Sequence, residues 1–323
     1  MTTNKKARLI FFGTPAFAAS QLNSIVEAGH QILAVVTAPD KAAGRGKKIQ
    51  QSAVKELALK LELKVLQPMN LKDPEFVQRL KHLAADVFVV VAFRMLPKVA
   101  WELPPLGTFN LHASLLPDYR GAAPINHAIM NGEKTTGLTT FFINEKIDEG
   151  AIILQQKLEI GPTENAGSLH DRMMLAGNSL INETLDLIVA NKTEVRIQEQ
   201  TSDDKAAPKI FKEDCAIRWK FPIYMVYNQI RGLSPYPAAY ADLKSDDGTE
   251  LRIKVFEVGI EEGRPEVHAF SLLTDNKTFL KVALADGYLN LTKIQLPGKK
   301  PLKIADLLKG YKFDGKWQVK SNV

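Results

Sequence analysis

The chain has 323 residues, 45% of them hydrophobic and 24% charged, which excludes global disorder and allows a full core and two domains. Its single cysteine, Cys215, excludes a disulfide framework and a cysteine zinc cluster, and fits a reducing, cytoplasmic setting. A formal charge of +6 permits a polyanionic partner such as nucleic acid, and no run reaches the ~20 apolar residues that span a bilayer, so no membrane partner is expected.

Lys5, Lys6 and Arg8 precede only a short apolar run, which reads as a first strand over 8–12 and not as a signal peptide. Gly13 closes that strand. Thr14 suits an N-cap and Pro15 a first helical position, so a helix to residue 28 follows, ended by Gly29. A strand is expected over 31–37, then a loop over 38–50 rich in Gly and Lys. Helices over 52–61 and 73–83 flank a short strand at 64–66. Residues 86–92 are almost all apolar and β-branched, as a central parallel strand requires. A strand over 107–112, a helix over 124–131, strands over 136–143 and 151–158, and a long helix over 168–190 complete the first part. Strands alternating with helices predict an α/β fold, a Rossmann-like, mostly parallel sheet with helices on both faces.

The texture then changes. Residues 191–210 are polar, lack periodicity and contain Pro208, so they read as a linker. After one helix at 225–232, short strands are expected over 238–243, 251–257, 278–283 and 288–294, the spacing of a small β-barrel. The expected division is a first domain over 1–190, a linker over 191–210 and a second domain over 211–323. The tail is basic, with eight lysines against two aspartates over 293–320.

Gly13 stands alone, whereas a dinucleotide fingerprint needs three spaced glycines, and no glycine loop ends in Gly-Lys-Ser or Gly-Lys-Thr. NAD and ATP use are therefore disfavoured. In the 38–50 loop, Gly44 and Gly46 bracket Arg45 and give it freedom, beside Lys47 and Lys48. Two readings stand there: a solvated basic loop, or an arm that closes on phosphate or nucleic acid.

The densest chemistry lies in 107–124. Asn110, His112 and Ser114 alternate, so an extended strand would project all three to one side, with Leu111, Ala113 and Leu115 opposite. Such a polar set is costly to keep for packing alone. The connection over 144–150 would bring Asp148 near His112 if the flanking strands neighbour one another. A carboxylate there would favour the protonated imidazole and fix its tautomer. An asparagine amide suits an oxyanion at an acyl carbon. No serine or cysteine sits in a nucleophile turn, so the set fits direct acyl transfer to an amine. A satisfied core histidine remains the other reading of His112. His30, His82, His127, His170 and His268 show no metal-ligand spacing with one another or with Cys215, and no metal is expected.

The run Asn110-Leu111-His112-Ala113-Ser114-Leu115-Leu116-Pro117-Asp118-Tyr119-Arg120-Gly121-Ala122-Ala123-Pro124 closely resembles the signature of the formyltransferases that use 10-formyltetrahydrofolate. Their acceptors include glycinamide ribonucleotide, an amino sugar and initiator methionyl-tRNA, and one relative is a hydrolase. Three further stretches resemble the branch acting on methionyl-tRNA: residues 11–18, the 39–48 loop, and a C-terminal region similar to that branch's OB-like domain, with Pro297-Gly298-Lys299-Lys300. The segment Phe93-Arg94-Met95-Leu96-Pro97 departs from the family pattern, which has a tyrosine and a glycine there.

The resemblance implies that Asn110 polarises the formyl oxygen and that His112 and Asp148 handle the proton as the amine attacks. It implies a folate pocket lined by Ser114, Leu115, Leu116 and Pro117. It also implies tRNA contacts by Arg45 in the inserted loop. Lys47, Lys48, Lys299 and Lys300 are the further phosphate contacts expected from the basic loop and tail. The partners are then a folate donor and initiator methionyl-tRNA, and a monomer is the default. The alternatives are a formyltransferase acting on a small amine such as an amino-sugar nucleotide, and a non-catalytic RNA-binding relative.

Overall fold

The computed structural model describes residues 6–43, 48–199 and 205–320. In chain order come β1 (Arg8–Gly13), α1 (Ala16–Glu27), β2 (Gln31–Val36), β3 (Lys41–Ala43), β4 (Lys48–Gln50), α2 (Ala53–Lys60), β5 (Val65–Leu66), α3 (Pro74–Leu83), β6 (Val87–Val91), α4 (Lys98–Trp101), β7 (Thr108–His112) and β8 (Arg120–Gly121). They are followed by α5 (Pro124–Met130), β9 (Thr135–Phe142), β10 (Ile152–Glu159), α6 (Ala166–Val189) and β11 (Ala206–Ala207). The last part holds α7 (Ile223–Leu233), β12 (Ala239–Ser245), β13 (Glu250–Glu262), β14 (Ser271–Thr274), β15 (Leu280–Ala283), β16 (Gly287–Gln295), β17 (Leu302–Lys303), α8 (Ile304–Gly310) and β18 (Trp317–Val319). Contacts divide the chain into two compact units: residues 1–121, 136–159 and 170–206, and residues 122–135, 160–169 and 207–323.

The first unit is built on a seven-stranded sheet of order β10-β9-β7-β6-β1-β2-β5. β7, β6, β1, β2 and β5 run parallel, and β9 joins β7 antiparallel. β6 lies between β7 and β1, which is why it is apolar at every position and wholly buried. Ile10, Phe12, Val36, Phe88 and Val90 point to one face and pack with Phe76 and Leu80 of α3 and Ala100 of α4. The alternate residues Leu9, Phe11, Val87 and Val89 are equally buried on the other face. There α1 and α6 close in: a Cβ at Gly177 would meet Gln21 of α1 and Leu111 of β7, each at 3.1 Å. Fully burying a Phe of this kind contributes about 1.5–3 kcal/mol.

Several local expectations shift. Helix α1 starts after Pro15, which is extended and supplies no side-chain cap; the first turn closes by Ala19 N–H donating to the Pro15 carbonyl at 3.1 Å. The 38–50 region is not all loop, since β3 and β4 pair antiparallel as a hairpin. Helix α4, four residues long, is too short to show a helical period.

In the second unit β13, β12, β18, β14, β15 and β16 pair antiparallel in turn, and a β13–β16 pairing closes the ring. Closure removes the exposed edges that an open sheet of short strands would present. The sequence misses β14 and β18, which have too few residues to display alternation. The barrel interior takes Ala241, Leu243, Ile253, Val255, Leu289 and Leu291, and the apolar stripe of α7 joins the same core through Ile223, Val226, Ile230 and Leu233. Helix α5 lies so close to α7 that a Cβ at Gly232 would fall 2.5 Å from Met130. Among the described residues no helix is long and apolar enough to cross a membrane.

Candidate active site

In open α/β sheets, ligands are bound beyond the carboxyl ends of the parallel strands. β7 ends there with His112. Asn110 is held in register with Val90 of β6 and Phe141 of β9, which fixes the position of its backbone. Its Oδ1 is buried and has no hydrogen-bond partner among the described residues. An unpartnered buried acceptor costs about 1–3 kcal/mol, a cost that a ligand donor would remove.

His112 is 7% exposed. Its Nε2 lies 2.9 Å from the Tyr119 carbonyl. A carbonyl only accepts, so Nε2 carries the hydrogen and Nδ1 is the basic nitrogen of the neutral ring. Nδ1 faces Asp148 Oδ2 at 3.8 Å. A proton arriving at Nδ1 thus meets a carboxylate already in place. Of the two readings that the sequence leaves open for His112, its burial and the Tyr119 bond fit a satisfied core histidine, and the carboxylate facing Nδ1 fits a proton carrier.

Asp148 is itself tightly held. It sits at φ 56°, a left-handed conformation uncommon outside glycine. Its Oδ2 accepts from Gly121 N–H at 3.0 Å. Its carbonyl accepts from Arg120 Nε at 3.2 Å and from Gln198 Nε2 at 2.9 Å. The next turn is equally fixed, because a Cβ at Gly150 would lie 1.6 Å from the Phe142 carbonyl oxygen.

Ser114 does not extend the polar face. The strand stops at His112, and Ser114 is fully buried with its hydroxyl donating to the Asp118 carbonyl at 2.6 Å. The loop after it is strapped to β9 and β10. Thr139 Oγ1 donates to the Ser114 carbonyl at 2.6 Å and accepts from Leu116 N–H at 3.1 Å, and Gln155 Nε2 donates to the Leu116 carbonyl at 2.9 Å. Leu116 packs on Phe141 and Ile152, while Leu115 and Pro117 remain half-buried. The Leu116–Pro117 peptide is cis.

Arg94 finds a structural place: its guanidinium donates to the Pro68 and Met69 carbonyls. Beside it lies a cavity of about 270 Å³ lined by Met69, Leu71, Lys72, Arg94 and Met95. The base of the β3–β4 hairpin is pinned by Asp40, which pairs with Lys55 Nζ at 2.6 Å and accepts from Gln67 Nε2 at 2.8 Å. Those two partners hold the Asp40 carboxyl below its ordinary range. Arg45 and Lys47 lie outside the described residues, and Lys48 opens β4. Lys299 and Lys300 are exposed in the turn between β16 and β17. No group of three His, Cys, Asp or Glu residues that could hold a metal ion occurs among the described residues.

The site therefore unites Asn110, His112 and Asp148 and adds three residues with no sequence signal of their own: Thr139, Gln155 and Gln198. Each acts largely through backbone carbonyls or a loop amide, which no side-chain spacing displays. Gln198 comes from the expected linker, where an isolated bridge between Ile152 and Arg196 lays the chain beside the start of β10.

The first unit thus carries an amide and an imidazole on β7 and a carboxylate on the connection after β9, and the second unit is an antiparallel barrel. The "Formyl transferase" family model matches residues 6–185, and the "Formyl transferase, C-terminal domain" model matches residues 209–312. The chain belongs to the formyl transferase family. It is 48% identical over 320 residues to the methionyl-tRNA formyltransferase of Bacteroides fragilis, covering 97% of this chain and 98% of that protein. It is 51% identical over 315 residues to the methionyl-tRNA formyltransferase of Flavobacterium johnsoniae, covering 98% and 99%. In fold it resembles the N-formyltransferase of Helicobacter canadensis, solved with folinic acid and dTDP-3-aminofucose. The TM-score is 0.64 at 21% identity, over 88% of this chain and 98% of that one.

Proposed function

We propose that this enzyme transfers the formyl group of 10-formyltetrahydrofolate to the free amino group of initiator methionyl-tRNA. The observation that carries the chemistry is the orientation of His112, with Nε2 anchored on Tyr119 and Nδ1 turned to Asp148. The acceptor is supported by likeness to the methionyl-tRNA formyltransferases over nearly the whole chain, and the folate donor by the resemblance of the 110–124 run and by the folinic acid bound in the Helicobacter canadensis structure.

The amine nitrogen bonds to the formyl carbon, and the bond from that carbon to the folate nitrogen breaks. The Asn110 amide donates to the formyl oxygen as negative charge gathers on it. Its unpartnered Oδ1 accepts a hydrogen of the incoming amine. His112 takes the amine proton at Nδ1, Asp148 stabilises the imidazolium, and the proton returns to the departing folate nitrogen. An α-amino group with a pKa of about 7.7–8.0 is partly neutral at cellular pH and needs little further activation.

Ser114, Leu115, Leu116 and Pro117 border the folate. With the Ser114 hydroxyl already engaged, this loop contributes shape and apolar surface. Arg45, Lys47, Lys48, Lys299 and Lys300 contact tRNA phosphates, which strengthens binding without reading sequence. The working division remains a catalytic domain over 1–190, a linker over 191–210 and a tRNA-binding domain over 211–323, in a cytoplasmic monomer that uses no metal, NAD or ATP.

The test is transfer of a labelled formyl group from the folate to charged initiator tRNA, with an amino-sugar nucleotide as the competing acceptor. Labelled tRNA is expected. Label on the small amine alone would overturn the proposed acceptor, and no transfer to either would favour a non-catalytic RNA-binding protein.

A further inference from the structure

We infer that Gln198 is a positioning residue for proton transfer: it holds the Asp148 turn and so sets the gap between the Asp148 carboxylate and the His112 imidazole. The inference rests on the proposed roles of His112 and Asp148.

The Gln198 amide is saturated. Its Nε2 donates to the carbonyls of Asp148 at 2.9 Å and Gly150 at 2.7 Å, one residue to either side of Glu149. Its Oε1 accepts from Arg120 Nε at 3.1 Å and Nη2 at 2.7 Å. Arg120 donates onward to the Asp148 carbonyl, and the adjacent Gly121 N–H holds the Asp148 carboxylate. Arg120, Gly121 and Gln198 therefore converge on one residue, whose left-handed backbone is uncommon outside glycine though tolerated by aspartate. Gln198 is delivered by the bridge at Arg196, whose N–H donates to the Ile152 carbonyl at 2.9 Å and whose carbonyl accepts from Ile152 N–H at 2.8 Å.

The 3.8 Å separation of Nδ1 and Oδ2 is too long for a hydrogen bond, so their coupling is electrostatic and depends on where the turn is held. The elements beside His112 supply little else that is charged. β6 offers Val90 and Val91, and β9 offers Thr139 and Thr140. On the loop after β7, Arg120 turns to the Asp148 carbonyl, Asp118 accepts from the Lys205 backbone, and the Lys205 ammonium lies 5.9 Å from the Tyr119 ring centre. Asp148 is thus the carboxylate whose placement governs the imidazole, and Gln198 governs Asp148.

The test follows the His112 ring signal by NMR in the full chain at one fixed pH, with the signal identified by its loss in His112→Gln. Gln198→Leu and Asp148→Asn should each move that signal, and Gln198→Leu added to Asp148→Asn should move it no further. Gln198→Leu should also lower kcat roughly ten- to a hundredfold, with KM within about twofold. The signals of the other five histidines report that the variants remain folded. An unmoved His112 signal in a folded Gln198→Leu protein overturns the inference, as does an additive shift in the double variant. If Asp148→Asn leaves the signal in place, the carboxylate–imidazole coupling falls and the inference with it. The NMR measurement needs no substrate, so its outcome does not depend on which acceptor the enzyme uses.

Discussion

His112 donates its Nε2 hydrogen to the carbonyl of Tyr119, seven residues further along the chain. The loop that leaves β7 therefore returns to set the protonation pattern of the strand's last residue. Tyr119 has φ 60°, and its own N–H is taken by the Lys205 carbonyl at 2.5 Å. The proposed proton transfer at Nδ1 would thus depend on a loop tied to His112 at one side and to Lys205 at the other.

Asn110→Ala removes an amide donor and leaves the strand register untouched. The expected loss in kcat is about 10²–10³-fold, with thermal stability unchanged or slightly raised because an unpartnered buried oxygen disappears. Steady-state transfer kinetics together with a melting curve check both parts, and full turnover in this variant would remove Asn110 from the mechanism.

Thr139 is fully buried and ties Ser114 to Leu116 through one hydroxyl. Thr139→Val keeps the volume but strands the Leu116 N–H. Urea unfolding should show a loss of about 1–3 kcal/mol. Because the loop borders the proposed folate site, KM for the folate should rise more than kcat falls; a KM equal to the parent's would separate the loop from donor binding.

His30 is buried with Nδ1 accepting from Ala7 N–H at 3.1 Å, and burial, aided by Lys6, pushes its pKa below the ordinary 6.5. The unfolded chain then binds that proton more readily than the folded one. The stability due to neutral His30 is complete above about pH 6.5 and is lost as pH falls toward the folded value. His127, also depressed chiefly by burial, adds to the same trend. His30→Gln keeps an acceptor for Ala7 and should flatten the decline in stability between about pH 7 and 5. Denaturant titrations at several pH values give the answer; parallel curves for parent and variant would exclude His30 as a source.

Lys299 and Lys300 stand exposed in a turn opened by Gly298 at φ 70°. If each neutralises one tRNA phosphate, Lys299→Ala with Lys300→Ala should reduce the slope of log affinity against log salt by about two and weaken initiator and other tRNAs alike. Filter binding over a salt series measures it. An unchanged slope would place the phosphates elsewhere.

Much of the sheet is legible in the sequence because its strands obey simple patterns: the Val-rich run at β6 announces burial on both faces, and Asn110 and His112 announce one side of β7. Asp148 is legible only conditionally, since its approach to His112 depends on β9 pairing with β7, and strand order leaves no trace in local periodicity. Alternation puts Ser114 on the wrong face because it says nothing about where a strand stops. Gln198 is hidden for a deeper reason. Its amide bonds two backbone carbonyls, which every residue has, and an arginine 78 residues away, so neither its type nor its spacing singles it out among the polar residues of 191–210.

The place of Gln198 in the chain bears on how the enzyme can be cut. A fragment ending at residue 190 would keep Asn110, His112 and Asp148, and would hold everything that the first family model spans, which stops at residue 185. It would lack the amide that steadies Asp148 and the Arg196 bridge that delivers it. By the inference drawn above, the smallest portion that keeps the Asp148 turn held in this way extends at least to residue 198, and a truncation at the first family boundary would leave that turn without its Gln198 bonds.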